Sequence, residues 1–88
     1  MIFRVTKNYL LVEVCSNRDN DFLSYEENDE KYSLCKILEV GPDSKDDFKE
    51  GQFVVAMKSC IENIDFFYEN RKFQFKLLPS NFVMMKTT

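Results

Sequence analysis

Apolar residues along this chain cluster in short runs separated by polar or Gly/Pro-marked breaks. Tyr9–Val14 (YLLVEV), Leu34–Val40 (LCKILEV) and Phe53–Met57 (FVVAM) have the length and β-favouring content of buried or half-buried strands. Ile2–Val5 adds a short strand at the start. Lys36 and Glu39 are the expected solvent positions of the Leu34–Val40 strand, which Gly41-Pro42-Asp43 then ends. Asp43–Lys49 reads as a polar turn, and Gly51 sits where a tight turn with positive φ is useful. Lys58–Asp65 is open between readings, since Ile61 and Ile64 fit one helical turn in a run too short to decide. Phe66–Tyr68 and Phe73–Leu77 read as a hairpin around a four-residue loop, Glu69–Lys72. Phe73, Phe75 and Leu77 share one face of that second strand, with Gln74 and Lys76 on the other. Pro79-Ser80-Asn81 breaks it, and Phe82–Met85 (FVMM) is a last apolar run. Five to seven short strands in one domain point to a small all-β barrel or sandwich.

One stretch does not fit this rhythm. Ser16–Lys31 (SNRDNDFLSYEENDEK) has no core face and is longer than ordinary loops. Asp19, Asp21, Glu26, Glu27, Asp29 and Glu30 surround Phe22, Leu23 and Tyr25, against only Arg18 and Lys31. Two readings stand: an arm that presents Phe22-Leu23 to a partner, or an acidic hairpin tip with Phe22 or Leu23 tucked onto the core.

Composition narrows the class. With 88 residues the chain is one domain, and a domain this small buries only about 60% of its unfolded surface. There is no His, and the three cysteines, Cys15, Cys35 and Cys60, are widely spaced. That is neither a zinc pattern nor a secreted disulfide framework, so the cysteines read as buried thiols in a reducing compartment. Oligomerisation is then the expected extra source of stability. A formal net charge of −3 argues against a nucleic-acid partner, and no run is long enough to cross a bilayer as a helix. No nucleophile elbow, phosphate loop or metal-ligand spacing is present, so neither catalytic residues nor a cofactor or metal site is expected.

Four segments then come in a familiar order. Ile2–Glu13 carries Arg4 and then Leu10-Leu11-Val12. Leu34–Gly41 closes on Glu39-Val40-Gly41. Lys49-Glu50-Gly51-Gln52 leads into Phe53-Val54-Val55. Phe73–Leu78 is followed by Pro79-Ser80-Asn81 and Phe82-Val83-Met84-Met85. Together they resemble the GroES family, the ten-kilodalton co-chaperonins, over nearly the whole chain and with few identities. The chain departs from the family in having no Gly between Met1 and Leu38, only Pro42–Asp47 in place of the roof insertion, and Gln52 where the family has Asp.

The resemblance implies a GroES-like β-barrel over residues 1–88, with a mobile loop at about 16–32 and a shortened roof loop. It implies a co-chaperonin that caps a GroEL-type chaperonin ring in the presence of ATP and encloses an unfolded client protein. Phe22, Leu23, Ser24 and Tyr25 are the implied chaperonin contacts. Ile2, Phe3 and Val5 of one subunit would meet Phe82, Val83, Met84 and Met85 of the next in a homo-oligomeric, heptameric ring. The setting is cytoplasmic, the host cytoplasm if the protein is virus-encoded, which the divergence suits. Two alternatives stay open. One is a structural or assembly protein, such as a virion component, that uses the same barrel without a chaperonin. The other is a single-stranded nucleic-acid-binding barrel, in which Phe66-Phe67-Tyr68 and Arg71-Lys72-Phe73-Gln74-Phe75 form a stacking platform.

Overall fold

The computed structural model describes residues 3–15 and 31–88. Six strands account for most of these residues: β1 (Tyr9–Val14), β2 (Tyr32–Val40), β3 (Phe53–Met57), β4 (Glu62–Tyr68), β5 (Arg71–Pro79) and β6 (Met85–Lys86). All pairings are antiparallel and make one sheet in the order β4-β5-β1-β2-β3-β6. Short 3-10 turns at Pro42–Ser44, Lys58–Cys60 and Ser80–Phe82 join them. The chain is all-β as expected. The sheet is open, with β4 and β6 as its edges.

The sheet is nevertheless strongly curled. Pro79 pairs with Tyr9 at one end of β1, whereas Met85 pairs with Val55, which faces Leu34 near the other end of β2. On a flat sheet β5 and β6 would lie about 19 Å apart across the strands, with a further offset of about 20 Å along them. Only Ser80–Met84 bridge that gap, and three of those residues are in a 3-10 turn. Such a bridge reaches about 16 Å. The strands must therefore roll toward each other over one face. That inner face carries the core: Leu10, Val12, Cys35, Ile37, Val40, Val54, Ala56 and Leu78, with Phe48, Cys60, Ile61 and Val83 packed at its rim.

Two strands differ from their expected form for instructive reasons. In β2 the register shifts so that Leu11 faces Glu39 and Val12 faces Ile37, leaving Leu38 as an extra residue. Leu38, beside the core residue Ile37, faces outward at 42% exposure, and the extra residue returns Val40 to the core face. Glu39, expected in solvent, is only 9% exposed. It does point to the outer face, but the N-terminal segment lies over it, and Arg4 Nε sits 3.4 Å from its carboxylate. The Phe66–Leu77 hairpin is longer and tighter than its polarity suggests. Tyr68 pairs with Arg71, so only Glu69 and Asn70 turn the chain, at φ 52° and 66°. Positive φ at both central residues is the twist-matched turn of two-residue hairpins. Arg71 and Lys72 were expected in the loop, but a solvent-facing strand end takes polar residues without losing its ladder. Nor does Lys58–Asp65 become a helix. After a single 3-10 turn it enters β4 at Glu62.

Candidate functional site

Three surfaces can meet a partner. The first is the base of the acidic stretch. Phe22, Leu23, Ser24 and Tyr25 lie outside the described residues. The two ends of the stretch do not. The Cys15 amide donates to the Leu34 carbonyl at 2.8 Å, and the Lys58 amide donates to the Lys31 carbonyl at 2.8 Å. The stretch therefore springs from neighbouring strands, β1 and β2, with main-chain bonds fixing both roots. Around the roots are exposed apolar side chains: Val14, and the facing pair Tyr32 and Met57.

The second surface is the β6 edge. Of the implied interface residues, Phe82 ends the Ser80–Phe82 turn and is 45% exposed, while Val83 turns inward onto the core. Met84 and Met85 are 57% and 68% exposed. The C-terminal run pairs within its own chain, for Met85 and Lys86 add to the edge of β3. Thr87 extends the grip: its amide donates to the Phe53 carbonyl at 2.9 Å, and the Phe53 amide donates to its Oγ1 at 3.1 Å. Lys86 reaches the Asp47 carbonyl and lies over the Phe48 ring. The outer side of β6 is an edge, and Met85 with the preceding Met84 makes a large apolar exposure for so short a strand.

The third surface is the outer face of the β4–β5 hairpin, where the N-terminal run goes. Ile2 lies outside the described residues. Phe3 and Val5 are not in a strand, contrary to the expectation for Ile2–Val5. Phe3 instead sets its ring edge-on against Phe66, Phe73 and Tyr68, at centroid distances of 5.0, 5.2 and 5.3 Å. Edge-to-face packing of this kind holds a segment by side chains alone, without a ladder. Phe3 and Val5 thus lie at the β4–β5 end of the sheet, and Phe82–Met85 at the opposite end. In the strand order β5, β1, β2 and β3 stand between β4 and β6.

The same packing weakens the stacking-platform alternative. Phe66 and Phe73 stack on each other at 5.6 Å, Phe3 covers them, and Arg71 lies over Phe73 at 5.4 Å. Phe66 and Phe73 are thus packed inside the chain, and of the named platform only Phe67 stands largely exposed, at 74%.

Sequence reasoning overlooked a polar knot that ties three turns together. Ser44 is buried, its Oγ donates to Ser80 Oγ at 2.8 Å, and the Ser80 amide donates to the Asn8 carbonyl at 2.9 Å. Asn8 Nδ2 donates to Asn81 Oδ1 at 3.1 Å. No local signal marks it, because its members are far apart in the chain.

Cys35, read as a buried thiol, is fully buried. Burial pushes its ionisation above the ordinary thiol value, nearby Cys15 adds to the rise, and Lys76 opposes it. A thiol harder to ionise when folded stabilises the fold fully below the unfolded value, about pH 8.5. That contribution is lost as pH climbs toward the raised folded value. Urea midpoints measured from pH 7.5 to 9.5 are expected to fall in the wild type, and to fall less steeply in Cys35→Ala.

Comparison with family models, with curated proteins and with solved structures finds no match for this chain.

Proposed function

We propose that this protein is a GroES-like co-chaperonin subunit, whose curled sheet closes as a small barrel and whose acidic stretch is the arm that engages a chaperonin ring. The observation that carries the reading is the placement of Ser16–Lys31. It leaves and re-enters the sheet between two adjacent strands, rooted by main-chain bonds at Cys15 and Lys31. Six carboxylates surround the apolar pair Phe22-Leu23 in it. An arm that orders on binding is weak by itself. Several arms on one ring bind tightly through effective concentration, and each can still release. The ring is supported by the separation of the two apolar termini to opposite ends of the sheet. Head-to-tail contact between unlike surfaces is what a closed ring requires.

The test is light scattering with a GroEL-type chaperonin, with and without ATP. The wild type is expected to form a ring alone and to join the chaperonin only with ATP. Phe22→Ser/Leu23→Ser is expected to keep the ring and lose association by at least about tenfold, from two buried apolar anchors. A wild type that never joins the chaperonin, or a double variant that joins undiminished, overturns the reading. The exposed Met84 and Met85 favour one second reading, an assembly protein that forms the ring without a chaperonin. The same experiment separates the two.

A further inference from the structure

The N-terminal segment crosses the outer face of the sheet without filling the space beneath it. Phe3 sets its ring against Phe66, Phe73 and Tyr68 but stays 6.5 Å from the Phe75 ring centroid. A pocket of about 180 Å³ is left between this segment and the hairpin side of the sheet. It is lined by the cross-strand pairs Leu11–Leu77 and Ile64–Phe75 and by the segment that passes over them. Apolar cavities of about 150 Å³ take up one benzene ring, so there is room here for a six-membered ring.

Every lining residue but one is apolar, and the exception is Arg4. Its Nε is 3.4 Å from the Glu39 carboxylate, and the Arg4 side chain is 75% exposed against 12% for Glu39. Glu39 therefore tethers the guanidinium at the rim of the pocket while leaving it open to solvent. A guanidinium has five N–H donors, and one carboxylate takes about two of them in a fork. Donors remain for a second anion. An apolar recess with a single cation at its mouth matches a ring that carries a short anionic arm. The ring leaves water, and the charge stays at the wet edge.

We propose that this pocket binds a small aryl carboxylate, with its ring over Leu11, Ile64, Phe75 and Leu77 and its carboxylate on Arg4. Charge decides between ring compounds of one size. An amine brings a second cation to Arg4, and an alcohol gains no ion pair. The site is independent of the co-chaperonin reading, since neither the acidic stretch nor a ring of subunits takes part.

The test is a titration of the full-length protein with sodium phenylacetate, followed by backbone amide chemical shifts in NMR. Saturating shifts confined to residues 3–5, 64–66 and 75–77 are expected, with a Kd on the order of 1 mM for so small a ligand. 2-Phenylethanol is expected to bind about twofold to fivefold more weakly, the range of one exposed ion pair. Phenethylamine should bind more weakly still. Arg4→Gln should level the acid with the alcohol, and Arg4→Lys should keep the preference. Val5→Phe, which fills the pocket, should abolish binding of all three; the probe series decides alone if that variant does not fold. No saturation up to about 20 mM phenylacetate, well above that Kd, overturns the proposal. Equal binding of acid and amine overturns it too. The same shifts with acetate would mean an adventitious ion only on Arg4, and would also overturn it. So would phenylacetate binding that weakens as the protein is concentrated, which assigns the pocket to a second copy of this chain.

Discussion

Gly41→Ala is expected to destabilise this protein more than any other single methyl addition. Gly41 follows β2 and sits under the Thr6–Tyr9 turn. A Cβ there would lie 2.8 Å from the carbonyl oxygens of Thr6 and Tyr9, and closer still to that of Lys7. All three are backbone atoms, so no rotamer change relieves the clash. Moving the residue away breaks the bond its amide makes to the Tyr9 carbonyl at 2.8 Å. It also disturbs Asp43, whose amide donates to the Lys7 carbonyl at 3.0 Å. The backbone angles of Gly41, φ −66° and ψ 155°, suit any residue, so the requirement is one of space alone. Overpacking against an unyielding neighbour costs about 3 kcal/mol or more. That is a large share of the roughly 5–15 kcal/mol that holds a domain together. Gly51 provides the contrast. Its φ is 90°, but a Cβ would meet nothing within 4 Å. Gly51→Ala is expected to cost only about 1 kcal/mol of conformational strain. Urea midpoints of the two variants give the check, and a Gly41→Ala no worse than Gly51→Ala would refute the close-approach argument.

The second large effect is expected at Leu78. This side chain is fully buried on the inner face, opposite Leu10, which is also fully buried. It lies one residue before Pro79, where β5 hands the chain to the turn that crosses to β6. Leu78→Ala removes methyl groups from the centre of a core too small to collapse around the loss. The expected cost is about 2–5 kcal/mol. Leu38→Ala makes the same chemical change on the β2 bulge and is expected to stay within about 0.5 kcal/mol, as exposed sites do. Calorimetric or urea unfolding of both should separate them clearly. Similar losses would mean that Leu38 does not face outward.

That pair of leucines also marks how far the chain can be read locally. LCKILEV announces a strand, and it is one. Nothing in it says that an extra residue will be absorbed between Ile37 and Glu39, because a bulge is decided by the strand alongside. β1 pairs with β2 on one side and β5 on the other, and only one register satisfies both. Glu39 was misjudged for a related reason. Its solvent-side position was legible, but the cover over it comes from Phe3–Val5, more than thirty residues away. Phe3 itself looked like a strand residue from its neighbours. It became a side-chain anchor because Phe66, Phe73 and Tyr68 gather on one hairpin face. In the candidate site, the roots at Cys15 and Lys31 followed from the strand pattern. The pocket beneath Phe3–Val5 did not, since Leu11, Ile64 and Phe75 come from three strands that meet only in space.

By itself the sequence determined the all-β class, the strands β1, β2, β3 and β5 to within a few residues, only the Phe66–Tyr68 end of β4, and the alternation of Phe73, Phe75 and Leu77. It also determined the stops at Gly41-Pro42 and Pro79, the turn at Gly51, and the acidic break between β1 and β2. These depend on side-chain alternation, on φ restriction and on local charge, all of which act over a few residues. The tertiary structure alone decided the strand order, the curl that brings β6 to β3, the bulge at Leu38, the cover over Glu39 and the pocket beneath Phe3–Val5. Each depends on which distant segment arrives beside a strand, and that is settled by burial and register across the whole sheet.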